Sequence, residues 1–145
     1  MMRAQLCVGR LLEVRAFTPI NLEEIPALVA TMKAIFERAT GLVVAILDAR
    51  SYGIEPPSAA DQFVSVIKRD NPRIERSAFV IEPEQALLGL QLDRMIREAN
   101  NPKRRLFRDV NDAVGFLAPV LTDEERARLD AFLAGAVEMA PLVSS

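Results

Sequence analysis

The sequence predicts an α/β protein, a single domain with one mainly parallel sheet of four or five strands flanked by helices. Three features indicate this class: a continuous apolar run of strand length at residues 42–47, helical spacing of apolar residues between the strand candidates, and short connections. When strands alternate with helices, right-handed crossovers place successive strands side by side and parallel. Because half of the 145 residues are apolar, the chain can fill one core.

The first predicted elements are a β-hairpin and a helix. Residues 5–17 alternate in places between apolar and polar side chains, and residues 8–10, Val-Gly-Arg, mark the turn. A break at residues 18–21 precedes a helical face, formed by Ile25, Leu28, Val29, Met32, Ile35, Phe36 and Ala39. Asn21 and Glu24 have the spacing of a capping box, although a proline that fits the first turn favours a start nearer Glu24.

The next elements are a central strand and a second helix. Gly41 ends the first helix, and the apolar run at residues 42–47 is typical of a strand covered on both faces. A helix is then predicted from Ser58 to about Lys68, because residues 71–72, Asn-Pro, stop it. Its apolar face comprises Ala60, Phe63, Val64 and Ile67.

The second half of the chain continues the alternation. Residues 74–81 predict a strand, and residues 84–99 predict a third helix with an apolar face of Leu88, Leu92, Met95, Ile96 and Ala99. Residues 104–108 predict a short strand whose charges suit a sheet edge. Asp109 then caps a helix that ends near residue 118.

The last predicted element is a C-terminal helix. Thr122 and Glu125 have the spacing of a capping box, and acidic residues in the first turn suit the helix dipole. The apolar side of this helix carries Leu129, Phe132 and Leu133. We therefore divide the chain into a domain at residues 5–118, a helical extension packed on it at residues 119–140, and a loose tail at residues 141–145.

Composition excludes several classes of function. Cys7 is the only cysteine and there is no histidine, so a disulfide within the chain, a thiolate zinc site and a histidine-dependent triad are excluded. The net charge of −2 indicates no general attraction to nucleic acid. Arg10 and Glu13 interrupt the first apolar run, and no run reaches the roughly 20 residues needed to cross a bilayer. We expect a soluble, cytoplasmic protein without membrane insertion, cofactor or metal.

Three segments carry a resemblance to a known family: LLEVRAFTPINLEEI at residues 11–25, GLVVAILDAR at residues 41–50, and IERSAFVIEP at residues 74–83. With the order of elements, they resemble the STAS superfamily, in particular its SpoIIAA-like branch of anti-sigma-factor antagonists and Sec14-like relatives. The resemblance covers residues 5–118. It implies a non-enzymatic module of bacterial signalling or regulation that binds another protein, such as a kinase or a regulator, with homodimerisation as a further option.

In signalling members of this family, the loop after the central strand and the start of the next helix form the partner surface. By resemblance, the partner-binding residues here are Ser51, Tyr52, Ile54, Pro57 and Ser58. Those relatives carry a phosphorylated serine or threonine in an Asp-Ser-Ser or Asp-Ser-Thr context. Here prolines precede Ser58, which departs from that pattern, yet Ser58 stays a candidate phosphosite.

Local chemistry suggests a simpler role for Ser58. It precedes Asp61 by three residues, which is a variant of the capping box. A phosphate there would also suit a helix N-terminus. The sequence favours the cap. A nucleophilic serine would need a base, and because the chain has no histidine or other motif for one, we predict no catalytic residue.

Two apolar features have open interpretations. Tyr52 and Ile54, with the two prolines after them, make an apolar loop that either contacts a partner or folds onto the sheet as core. Leu87 and Leu90 lie outside the main apolar face of their helix, so they belong either to a wider core or to a dimer interface.

Two charged groups also have alternatives. Asp48, Glu82 and Asp109 follow three predicted strands, so they form either a magnesium site or a set of capping acids, and the sequence favours caps. Basic residues are expected at the opposite edge, where they bind phosphate, RNA or an acidic protein, or else match helix dipoles, the interpretation that we favour. These residues are Lys68, Arg69, Arg73, Arg76, Arg97, Lys103, Arg104 and Arg105.

The function that the sequence predicts is therefore a non-catalytic protein-interaction module. The alternative is a carrier of a small apolar or lipid-like ligand, which the Sec14-like side of the resemblance and the apolar helices suggest. These hypotheses differ in whether the sheet and helices enclose a ligand or only support an outer surface.

Overall fold

The computed structural model describes residues 1–18 and 22–142, and within them the chain forms one five-stranded sheet. The strands are β1 (Met2–Val8), β2 (Leu11–Phe17), β3 (Val43–Ser51), β4 (Ile74–Val80) and β5 (Arg104–Phe107), and they lie in chain order across the sheet. β1 is antiparallel to β2, and the other neighbouring pairs are parallel. The predicted α/β class with a mainly parallel sheet is confirmed.

Five α-helices cover both faces of the sheet in the part of the chain that the structure describes. They are α1 (Ile25–Arg38), α2 (Pro57–Asp70), α3 (Ala86–Ala99), α4 (Val110–Leu117) and α5 (Asp123–Leu133). The first three, each a crossover between parallel strands, pack on one face, and α4 and α5 pack on the other. The predicted second and third helices agree with α2 and α3 to within two residues at each end.

The central strand lies where the apolar run predicts it. β3 is the third of five strands, and Val44 and Ile46 face the α4–α5 layer while Val43 and Ala45 face the other layer. All four are buried because helices cover both sides. The predicted strand boundaries need correction, since Leu42 precedes the strand and is 40% exposed, and the strand continues to Ser51.

The N-terminal hairpin turns at Gly9, whose φ of 54° is accessible to glycine at little cost. Its first strand begins at Met2 instead of residue 5. The turn also ties the hairpin to α5. The backbone N–H of Arg10, the residue after Gly9, donates to Oε2 of Glu125 at 2.6 Å. Oε1 of the same carboxylate accepts from the backbone N–H of Thr122 at 2.8 Å, which completes the predicted capping box.

Polar contacts as well as apolar packing hold the α4–α5 layer on the sheet. On the α4–α5 side, Glu13 is fully buried and pairs with Arg128, with 2.6 Å between Oε2 and Nε. Nη2 of Arg50 donates to the carbonyl of Leu133 at 2.5 Å, so this arginine satisfies an orphan acceptor at the end of α5. Polar contacts therefore fix α5 on the sheet in addition to its apolar side chains.

Other terminal features agree in part with the predictions. Asp109 caps α4 by accepting from the backbone N–H of Asn111 at 2.7 Å, as predicted. Glu24 is the N-cap of α1 and makes no side-chain cap bond, while Asn21, its predicted capping partner, lies outside the described residues. The same holds for residues 143–145 of the predicted tail. No helix within residues 1–18 and 22–142 is long and apolar enough to cross a membrane.

Candidate functional site

The loop after β3 leaves the carboxyl edge of the sheet and leads into α2. Two side chains hold the backbone of this loop and of the end of β3, one from Gln85 at the N-cap of α3 and one from Gln91 within α3. Nε2 of Gln85 donates to the carbonyls of Ala49 at 2.9 Å and of Tyr52 at 2.7 Å. Gln91 donates to the carbonyl of Glu55 and accepts from its N–H, both at 2.8 Å. These bonds give the loop one fixed path across the start of α3.

Tyr52 and Glu55 point inward from this loop. Both side chains are buried, so the interpretation of Tyr52 as core is correct, and its predicted exposure to a partner is wrong. The Tyr52 hydroxyl and Oε2 of Glu55 make no hydrogen bond of regular geometry. Burial raises the pKa of Glu55 to about 7, opposed by its interaction with Tyr52. Burial and the Glu55 charge together raise the pKa of Tyr52.

The outward side of the loop and of the start of α3 exposes apolar side chains. Ile54 is 56% exposed, and Leu87 and Leu90 of α3 are 61% and 66% exposed, so a wider core is excluded for the two leucines. Leu87 lies one turn before Gln91, the residue that binds the loop. Leu90 lies three residues after Leu87, so the two leucines are neighbours on the helix surface. Pro57 lines the groove between α2 and α3 beside Gln91. We call Ile54, Pro57, Leu87 and Leu90 the loop–α3 patch.

Ser58 is not the cap of α2, so the predicted capping role is wrong. The helix begins one residue earlier, with Pro56 at the N-cap and Pro57 at the first position, and no side chain caps it. Proline suits that position because its missing N–H would have no partner in the helix. Ser58 is therefore exposed in the first turn, as is Ser51 at the end of β3.

The three acidic residues predicted to follow strands lie in different settings, and Asp48 is inside β3 instead of after it. Asp48 pairs with Arg50, with 2.9 Å between Oδ1 and Nε, and lies 3.7 Å from Nε of Arg15. Asp109 caps α4, and Glu82 is exposed in a turn where its N–H donates to Gln85. Among the described residues, no three acidic, histidine or cysteine side chains come together as a metal site.

The basic residues at the opposite edge are divided among helix ends. Arg73 donates to the carbonyls of Ala39 and Gly41 just beyond α1, both at 3.3 Å. Arg76 donates to the carbonyl of Phe116 in the last turn of α4 at 2.6 Å. These contacts agree with the interpretation that basic side chains match helix dipoles. Arg104 departs from the prediction of a charged edge strand, since it is only 5% exposed.

A cavity lies between the sheet and helices α1 and α2, and Arg104 forms part of its wall. Its volume is about 80 Å³, and it is partly open to solvent. The polar wall consists of Asp70, Ser77 and Arg104. The rest is apolar and includes Leu28, Met32, Phe36, Phe63, Val66 and Phe79. We call this space the Arg104 cavity.

Arg104 meets only neutral acceptors. Its Nε donates to Oδ1 of Asn71 at 2.9 Å, its Nη2 to the carbonyl of Ile67 at 2.9 Å, and its Nη1 to Oγ of Ser77 at 3.4 Å. Asp70 is paired with Arg69. Burial lowers the pKa of Arg104 to about 10, although the charge of Asp70 acts in the opposite direction. Sequence reasoning missed this residue because its run of basic neighbours predicts a solvated edge.

No family model, no curated protein and no solved structure matches this chain. The fold defines the class as an α/β protein with one sheet between two helical layers. The loop–α3 patch and the Arg104 cavity are candidate sites within the part of the chain that the structure describes.

Proposed function

We propose that this protein is a non-catalytic, STAS-like interaction module of bacterial signalling or regulation. It binds another protein through the loop–α3 patch. The observation that supports this is the exposure of three large apolar side chains, Ile54, Leu87 and Leu90, at one rim of the sheet. Several exposed apolar side chains in one region mark an interaction surface more often than a single exposed apolar side chain does.

The support beneath the patch strengthens the proposal. Gln85 and Gln91 bond the loop backbone, and Tyr52 packs below it. A surface whose backbone is already ordered loses less conformational entropy on binding. The location also agrees with the resemblance, which implies a partner surface at the loop after the central strand.

Regulation by phosphate is part of the same proposal. Ser58 is exposed in the first turn of α2, directly after Pro57 of the patch. The N-terminal end of a helix favours negative charge, so a phosphate on Ser58 would not disturb α2. It would place a hydrated dianion beside apolar contacts and weaken partner binding.

A capture experiment with matched variants tests the interface. The full chain is used to capture partners from extract of its native cell, and bound proteins are quantified by mass spectrometry. Ile54→Ser combined with Leu87→Ser should reduce capture of the specific partner at least tenfold. Leu42→Ser is the control, because Leu42 is also exposed but lies at the opposite end of β3. Equal capture by both variants and the unmodified chain would contradict the proposal. Ser58→Glu tests the effect of charge.

The Arg104 cavity favours a second candidate function, a carrier of a small apolar or lipid-like ligand. The cavity is largely apolar and opens between the sheet and two helices, as small-molecule sites commonly do. Native mass spectrometry of freshly purified protein tests this, because a carrier should show an added ligand mass that disappears on denaturation. A spectrum with only the bare chain after incubation with apolar ligands would count against it.

A further inference from the structure

The Arg104 cavity has an unusual polar end. Buried charges in proteins are ordinarily paired with an opposite charge, because removing an ion from water is unfavourable. Arg104 is nine-tenths buried and its three side-chain hydrogen bonds reach an amide, a carbonyl and a hydroxyl. No carboxylate of the described residues forms an ion pair with it.

The guanidinium also has unused donors. Arginine carries five N–H groups, and the three bonds to Asn71, Ile67 and Ser77 use one on each nitrogen. One N–H on each terminal nitrogen is left without a partner among the described residues. A planar fork of this kind matches a carboxylate.

We infer that the Arg104 cavity binds an amphipathic monocarboxylate, with its carboxylate on Arg104 and its alkyl chain against the apolar wall. This inference rests on the carrier function and specifies its ligand. The wall residues that would contact the chain include Met32 and Phe36 of α1 and Phe63 and Val66 of α2.

Two observations select this class of ligand. Asp70 is buried in the same wall and its charge repels a second negative charge, so a monoanion is favoured over a phosphate dianion. The cavity volume of about 80 Å³ is little more than half of the roughly 150 Å³ cavity that accepts benzene. A slender, unbranched chain whose far end follows the open mouth fits this space better than a ring.

The experiment compares three probes of equal chain length by isothermal titration calorimetry: decanoate, decanol and decyl phosphate. Decanoate should bind the full chain at least tenfold more tightly than either of the others. Arg104→Gln should remove that preference, while Arg105→Gln, which changes the exposed neighbour on the same strand, should retain it.

A second variant keeps the test informative if Arg104→Gln does not fold. Val66→Phe fills the cavity and leaves Arg104 in place, so it should weaken decanoate binding at least tenfold. Equal affinity for decanoate and decanol would overturn the role of Arg104 while leaving an apolar carrier intact. Tighter binding of decyl phosphate would overturn the monocarboxylate assignment. Absence of binding by all three probes would overturn the carrier function and this inference together.

Discussion

At the scale of single residues, three buried charged side chains differ in what meets them. Glu13 is matched by a guanidinium, since Arg128 contacts both of its oxygens at 2.6 and 3.0 Å. Arg104 is met by neutral acceptors, and Glu55 leaves one oxygen without a regular hydrogen bond. A matched charge supports the fold, whereas an unmatched one is costly unless it changes its protonation or gains a ligand.

Glu55 should make stability depend on pH. The carboxyl has a pKa near 4.5 in the unfolded chain and about 7 in the folded one. Between these values the folded state retains a proton that the unfolded state has released, so the free energy of unfolding falls as pH rises. At about 1.4 kcal/mol per unit, the loss is roughly 3 kcal/mol. It is absent below about pH 4.5 and complete above about pH 7.

Urea unfolding of the unmodified chain and of Glu55→Gln at pH 4.5 and pH 8 measures this effect. The variant should be the more stable of the two at pH 8, and its advantage should disappear at pH 4.5. Glu82→Gln, which changes an exposed carboxylate at the end of β4, is the control and should follow the unmodified chain. The same pH dependence in all three proteins would contradict the assignment to Glu55.

At the scale of elements, the molecule depends on contacts between a turn or loop and a helix that is distant in sequence. The hairpin turn at Gly9 lies against the start of α5, where Glu125 accepts from Arg10 and Thr122. The loop after β3 is bonded by Gln85 and Gln91 at the start of α3. In both cases a helix start supplies the polar group that orders a segment without secondary structure.

Gly9→Ala should therefore lower the free energy of unfolding by more than the cost of backbone strain alone. An alanine at a positive φ is strained by about 1–2 kcal/mol, and a Cβ at position 9 would also overlap Oε2 of Glu125. Displacing that carboxylate breaks the capping box, which adds about 1 kcal/mol. Gly135→Ala is the matched control, since Gly135 also has a positive φ of 77° but has open space around its Cβ position.

Chemical denaturation of the two variants separates the contributions. Gly9→Ala should lose roughly 2–3 kcal/mol of unfolding free energy, and Gly135→Ala should lose only the part due to strain. Equal losses would show that the contact with Glu125 contributes nothing.

At the scale of the whole molecule, the sheet is stable only if both faces are covered. The segment after residue 118 supplies Leu129, Phe132 and Leu133 to the core on the α4–α5 side. Without them, Val44 and Ile46 of the central strand would face water. The C-terminal extension is therefore part of the layer structure of the sheet.

Truncation after residue 118 should abolish cooperative folding. Loss of the α5 side chains removes apolar cover from that face of the sheet, at about 25 cal/mol for each Å² exposed. The truncated chain should bind a hydrophobic dye and show no sharp urea transition, whereas the full chain should show one. A cooperative transition at an unchanged midpoint would contradict this view of α5.

The sequence predicts features that depend on neighbouring residues better than features that depend on residues distant in the chain. The cap at Asp109 and the capping box of Thr122 and Glu125 are confirmed, because both partners lie within one helical turn. Ser58 shows the limit of such reasoning, since a proline at the first helical position replaced the predicted cap. Tyr52 could not be placed from the sequence because its burial depends on Gln85 and Gln91, more than thirty residues away.

By itself, the sequence determined the order of the elements, the layer class of the fold and the central position of β3, because apolar periodicity and turn chemistry are local properties of a chain. Only the tertiary structure decided that Arg104 faces a cavity, that Tyr52 is core, and that Leu87 and Leu90 are exposed. The physical reason is that the environment of a side chain depends on residues brought near it by folding. Local pattern constrains the backbone, and long-range packing decides where each charged or apolar side chain lies.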